Sequence, residues 1–82
     1  MRRVRVLMFG PVRDIVGAAE LALDVAEPYT GTAAFDALVA QYPALGPWRE
    51  SVRLAVNCDY APFDRTIETN DELSFIPPVS GG

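Results

Sequence analysis

Three groups in this sequence could do chemistry: a carboxylate carried on two glycines, a lone thiol and a pair of adjacent acids. The chain closes on "PPVSGG", Pro77 to Gly82. The two prolines favour an extended stem, because the ring fixes φ and removes a donor. Gly81 and Gly82 then strip the tip of side chains, so the backbone can enter a narrow site and take whatever φ it needs. A terminal carboxylate has a pKa of roughly 3.3–3.7 and is ionised at neutral pH. It is a poor electrophile until a good leaving group is attached, after which its carbon is an acyl donor. The pattern reads as a stiff stem, a thin tip and a reactive end, with Gly82 and Gly81 as the candidate reacting residues.

The other two groups are weaker. Cys58 sits in "NCDY", with no His or Lys beside it to lower its pKa, so a reactive thiolate is poorly supported there. Asp71–Glu72 falls in turn chemistry with no further ligand near in sequence, which fits solvated acids better than a metal site. No metal ligands are expected. The chain has no His, and all seven basic residues are Arg. Unaided acid–base catalysis near neutral pH therefore lacks its usual group. A single cysteine excludes an intramolecular disulfide framework.

These groups sit on 82 residues, half of them apolar, which is one domain with enough material for a core. So small a domain buries roughly 60–65% of the surface its unfolded chain exposes and has little room for a private active-site cavity. Function is expected on a surface, a tail or a partner interface. The net charge of −4 argues against nucleic acid and against an anionic membrane surface. The apolar stretch in "MRRVRVLMFG" is too short for a signal-peptide core or a membrane span, so a cytoplasmic location is expected.

The elements that must position the tail are legible in the alternation. "RVRVLMF" puts Val4, Val6 and Met8 on one strand face, and Arg3, Arg5, Leu7 and Phe9 on the other, which begins charged and ends apolar. Gly10–Pro11 breaks that strand. Val12, Ile15 and Val16 suit one short helical turn closed by Gly17. "AELALDV" alternates again, with Leu21, Leu23 and Val25 inward, and should pair antiparallel with the first strand. Phe35, Leu38, Val39 and Tyr42 form the stripe of a helix capped by Thr30 or Thr32 and ended by Pro43. Trp48 reads as a lid on the core. "VRLAVN" is a third strand, "NCDY" a turn, "APFDRTI" a short edge strand and "ELSFIP" the last strand. This order gives an α+β, β-grasp layout: a mixed sheet with one main helix packed across one face. The first and last strands are then central neighbours. Residues 1–82 form a single domain, with 77–82 as an extended C-terminal tail.

Phe9 and Ile76 fall on strand faces opposite the core pattern. If their strands are neighbours, they share a patch with Pro77, Pro78 and Val79 beside the tail, which points to a partner interface.

"VLMFGPVRDIVG", "LAVNCDYA" and "DELSFIPPVSGG" together resemble the small, sulfur-carrying subunits of molybdopterin synthase, within the wider group of ubiquitin-like sulfur carriers. The ending is the most specific part. The resemblance implies a non-catalytic carrier. An ATP- and Mg-using adenylating enzyme of the ubiquitin-activating type would join AMP to Gly82, and a sulfur-donor protein would convert the end to a thiocarboxylate. The tail would then enter the large subunit of the synthase, in a heterotetramer. There it would give its sulfur to cyclic pyranopterin monophosphate. The resemblance implies no cofactor bound by this chain itself. It places Arg13, Ser80 and the residues of the Phe9–Ile76 patch at the partner. The alternatives are a thiamine-pathway sulfur carrier, a ubiquitin-like protein modifier using the same activation chemistry, and a plain interaction module.

Overall fold

The computed structural model describes residues 1–78; Val79, Ser80, Gly81 and Gly82 lie outside the described residues. Strand β1 (Arg2–Met8) leads into helix α1 (Gly10–Val16), and strand β2 (Glu20–Val25) returns beside β1. Helix α2 (Gly31–Gln41) and a 3-10 helix (Pro43–Trp48) follow. Strands β3 (Arg53–Val56), β4 (Asp59–Ala61) and β5 (Glu72–Ile76) complete one sheet in the order β2-β1-β5-β3-β4. β1 pairs antiparallel with β2 and parallel with β5, and β5 pairs antiparallel with β3. This is the expected β-grasp arrangement, with the last strand in the middle of the sheet.

The expected core faces are the observed ones. Val4, Val6, Met8, Leu23, Val25, Leu54, Val56, Leu73 and Phe75 are buried against Phe35 and Leu38 of α2. Thr30 caps α2, its hydroxyl accepting the Ala33 N–H at 3.1 Å, which satisfies one otherwise unpartnered amide of the first turn. Leu21, Val39, Tyr42 and Trp48 are half-buried and pack on the edge of this core. Phe35 meets Phe75 edge-to-face at 5.0 Å, and Phe63 stacks on Phe75 at 6.3 Å. Such pairs add about 0.5–1.5 kcal/mol beyond area burial. They fix β5, the strand that carries the tail, to the helix.

Two expectations are corrected. α1 is a seven-residue α-helix rather than one turn, with Phe9 at its N-cap and Gly17 closing it at φ 83°. Gly10 at φ 53° makes the sharp exit from β1. The edge strand is Asp59–Ala61, not 61–67, because Asn57 and Cys58 at φ 50° and 73° form the two-residue reverse turn that matches strand twist. Pro62 then has no N–H for a ladder, and its carbonyl accepts from Arg65 N–H at 3.0 Å in a turn. Ala55 and Ser74 are 4% and 8% exposed although they face away from the helix. Their small side chains lie low among larger neighbours.

Gly31 shows how close α2 sits to the sheet. A Cβ there would lie 2.4 Å from Leu54 Cδ2 and 3.1 Å from the Phe63 carbonyl oxygen. Leu54 is buried and has nowhere to retreat. Gly31→Ala is expected to destabilise the domain by about 1–3 kcal/mol through overpacking. Urea unfolding should show a lower midpoint with an unchanged slope; an unchanged midpoint would mean α2 shifts freely.

Candidate functional site: the open sheet face and the tail stem

One face of the sheet carries the core. The other is formed by the alternate residues, and its chemistry divides along the strands. At one end, charged residues pair across strands. Arg3 reaches Asp24 at 3.2 Å, and Arg5 reaches Glu20 at 3.4 Å and hydrogen-bonds Glu72. The hydrogen bond that Arg5 donates to Glu72, then the charges of Glu72 and Glu20, raise the Arg5 pKa above the ordinary arginine value. Exposed pairs of this kind contribute little to stability but set register.

The other end of the face is apolar. Leu7 stands beside Ser74 in the β1–β5 register, Ser74 opposite Ala55, and Ala55 opposite Tyr60. One row further on, Ile76 lies opposite Arg53. Tyr60 is 69% exposed and Phe9 45%. The strip therefore runs across four strands and ends where β5 ends.

Arg53, Tyr60, Ile76, Pro77 and Pro78 line a cleft of about 280 Å³ there. The structure thus brings Ile76, Pro77 and Pro78 together. Phe9 leaves β1 on the other flank of Pro77, where a Cβ on neighbouring Gly10 would lie 3.3 Å from Pro77 Cγ. Arg13, on the same short helix, is exposed. Val79, Ser80, Gly81 and Gly82 lie outside the described residues.

Sequence reasoning missed Tyr60 and Arg53. Reading "NCDY" as turn throughout hid the strand that begins at Asp59. Alternation from Asp59 would have placed Tyr60 on the open face and Ala61 inward.

The weaker candidates resolve as structure. Asp71 Oδ1 accepts the Asn57 side-chain amide at 2.9 Å, and its Oδ2 accepts the Glu68 N–H at 2.8 Å. Asn57 Oδ1 accepts the Glu72 N–H at 3.0 Å. This network fixes the start of β5 against the β3–β4 turn. Cys58 is exposed in that turn. It sits near the start of β5, whereas the tail leaves its end, about 13 Å away along the strand. Among the described residues no group of His, Cys, Asp and Glu could hold a metal, and no helix is long and apolar enough to cross a membrane.

A β-grasp sheet with its last strand central, and a tail stem emerging beside an apolar strip, defines a ubiquitin-like protein. Comparison with known proteins narrows this: the ThiS family model matches residues 6–82, and the chain belongs to that family. It is 35% identical over 79 residues to the molybdopterin synthase sulfur carrier subunit of Arabidopsis thaliana, covering 96% of this chain and 82% of that protein. It is 36% identical over 85 residues to the sulfur carrier subunit of the same name from Mycobacterium tuberculosis, with both chains covered fully. Among solved structures, the crystal structure of small archaeal modifier protein 1 from Haloferax volcanii superposes with a TM-score of 0.85 at 27% identity, over 98% of this chain and 99% of that one.

Proposed function

We propose that this chain is the sulfur-carrier subunit of a molybdopterin synthase, non-catalytic by itself, working through Gly82. The observation that carries the reading is the placement of the stem. Pro77 and Pro78 continue the central strand, which is tied to the core through Phe75, and they leave beside the cleft lined by Arg53, Tyr60 and Ile76. A stem so anchored limits the ordering entropy a partner must overcome when it captures the tip.

In this reading a Gly82 carboxylate oxygen attacks the α-phosphorus of ATP within an adenylating partner that holds the Mg, and pyrophosphate leaves. A sulfur nucleophile supplied by a donor protein then attacks the acyl carbon, and AMP leaves with the C–O electron pair. The product is a thiocarboxylate. The large subunit receives the tail, with the Phe9–Ile76–Tyr60 strip and Arg13 against its surface. The thiocarboxylate sulfur attacks the pterin precursor to give a thioester; water then attacks the acyl carbon, the C–S bond breaks with its electrons going to the pterin-bound sulfur, and the carrier returns with an ordinary carboxylate. This chain's own part is to present, orient and recycle the acyl group. Its place is with these partners in the cytoplasm, in a heterotetramer with two large subunits.

The test is intact-mass measurement of the chain incubated with an adenylating enzyme, ATP and a sulfur donor. Replacement of one oxygen by sulfur at Gly82 is expected. An unchanged mass after complete ATP turnover would overturn the reading. The likeness to small archaeal modifier protein 1 favours one second reading, in which Gly82 forms an isopeptide with another protein. A Gly-Gly remnant on target lysines would identify it. Because the chain has no lysine, it could not extend itself into lysine-linked chains.

Cys58→Ser is expected to keep most of the sulfur-transfer activity, since Cys58 is exposed at the far end of β5 from the stem. The check is product formation with the purified large subunit. Loss of transfer with normal unfolding and normal binding would move the sulfur from Gly82 to Cys58.

A further inference from the structure

The sheet has a second feature suited to a partner, at the end remote from the tail. β2 is an edge strand of six residues, without proline. Met8 N–H donates to the Ala19 carbonyl at 2.9 Å, which marks Met8–Ala19 as a hydrogen-bonded pair. Alternation along the β1–β2 register then makes Val6–Leu21, Val4–Leu23 and Arg2–Val25 the other hydrogen-bonded pairs. The N–H and C=O groups of Glu20, Ala22 and Asp24 consequently point outward, away from β1. Among the described residues no other strand lies on that side.

A groove of about 530 Å³ adjoins the end of this edge, between β2 and α2. Ala26, Ala33 and Ala37 supply apolar walls, and Asp24, Glu27 and Asp36 stand on the rim. No Arg lines it. Asp24 is partly offset by Arg3, whereas Glu27 and Asp36 have no ion-pair partner among the described residues. Free ladder groups, an apolar groove and acidic rim charges converge on one place.

We propose that the β2–α2 groove docks an extended segment of another protein, alternating basic and apolar residues, which adds to the sheet as a sixth strand. Its backbone takes the outward groups of Glu20, Ala22 and Asp24. Its apolar residues seat against Ala33 and Ala37. Its Lys or Arg residues, on the opposite face of the added strand, lie beside Asp24 and Glu20, and Glu27 and Asp36 on the groove rim attract them at longer range. A second copy of this chain does not fit: an antiparallel two-fold centred on Ala22 would set Glu20 opposite Asp24, and like charges directly opposite repel.

The location gives the site a use independent of the sulfur-carrier reading. β1 and β5 run parallel, so the stem leaves at the end of β1 opposite the groove. The seven residues of β1 separate them by about 20 Å. A protein held at the groove leaves the tail free for a different one.

The test titrates the isotope-labelled full chain with a capped synthetic peptide alternating Lys and Val, and with its Glu–Val counterpart, followed by NMR. The Lys–Val peptide is expected to shift the amides of Glu20–Val25, Ala33 and Ala37 and to slow hydrogen exchange at Ala22. The Glu–Val peptide should bind at least about tenfold more weakly. Ala22→Pro removes an outward N–H without touching the β1 ladder, as edge strands tolerate, and should weaken the Lys–Val peptide about tenfold. Glu27→Lys combined with Asp36→Lys should reverse the preference between the two peptides; this variant decides if Ala22→Pro does not fold. Equal binding of both peptides, shifts confined to α1 and the stem, or full affinity in folded Ala22→Pro would each overturn the proposal.

Discussion

Deleting Gly82, or adding one residue after it, is expected to abolish thiocarboxylate formation and sulfur transfer while leaving thermal unfolding unchanged. Among the described residues every core residue lies between Val4 and Phe75, seven positions or more before the change. The chemistry is a different matter. An added residue moves the carboxylate by a full peptide unit, and a reacting group misplaced by as little as ~1 Å can cost about a hundredfold in rate. The loss should therefore exceed a hundredfold in a single-turnover assay with the large subunit. Near-normal transfer from the extended, unprocessed chain would show that the sulfur resides elsewhere.

Ile76→Glu should weaken binding to the large subunit on the order of tenfold to several hundredfold. Burying a side chain of this size is worth roughly 1.5–3 kcal/mol, each 1.4 kcal/mol is a factor of ten, and taking a carboxylate out of water in the contact adds to the loss. Glutamate is the more informative substitution because Arg53 lies directly opposite in the β3–β5 register. An arginine would set two like charges face to face and destabilise the free domain, whereas a glutamate gains an opposite charge across the strands. The free variant should unfold within about 0.5 kcal/mol of the parent. Calorimetry against the large subunit and thermal unfolding of the same sample separate the outcomes. Unchanged affinity would place the docking face elsewhere. A large loss of stability would mean that Ile76 acts through the core.

The strands and the main helix were legible because each has one wet and one dry side. Val4, Val6 and Met8, and likewise Leu73 and Phe75, announce a period of two that only a half-buried strand satisfies. Central placement of the last strand followed from the layout. β4 was less legible, because three residues cannot display a period and both residues of its turn adopt positive φ without glycine. Tyr60 was lost with it. The burial of Ser74 and Ala55 was not legible: they face away from the helix and are covered by their neighbours rather than by a second layer. The β2 groove left no mark in the sequence, since Glu27 and Asp36 are distant along the chain from the alternation of β2 and converge only when α2 packs.

The parallel pairing of β1 with β5 has a mechanical consequence. The chain enters the sheet through β1 and leaves through β5, and both strands are flanked on each side by others. A pull on the stem along β5, with the start of β1 held, loads the Arg5–Met8 and Glu72–Phe75 ladder in shear, so its rungs must break together. The same force applied across β4 would peel that edge one rung at a time. Forced unfolding is governed by the unfolding barrier rather than by equilibrium stability. The domain should thus resist being dragged by its tail far better than its size suggests. A machine that grips the C-terminus would stall where one that seized the β3–β4 turn would not. Single-molecule pulling along the two axes would measure the difference as two rupture forces, and equal forces would refute it.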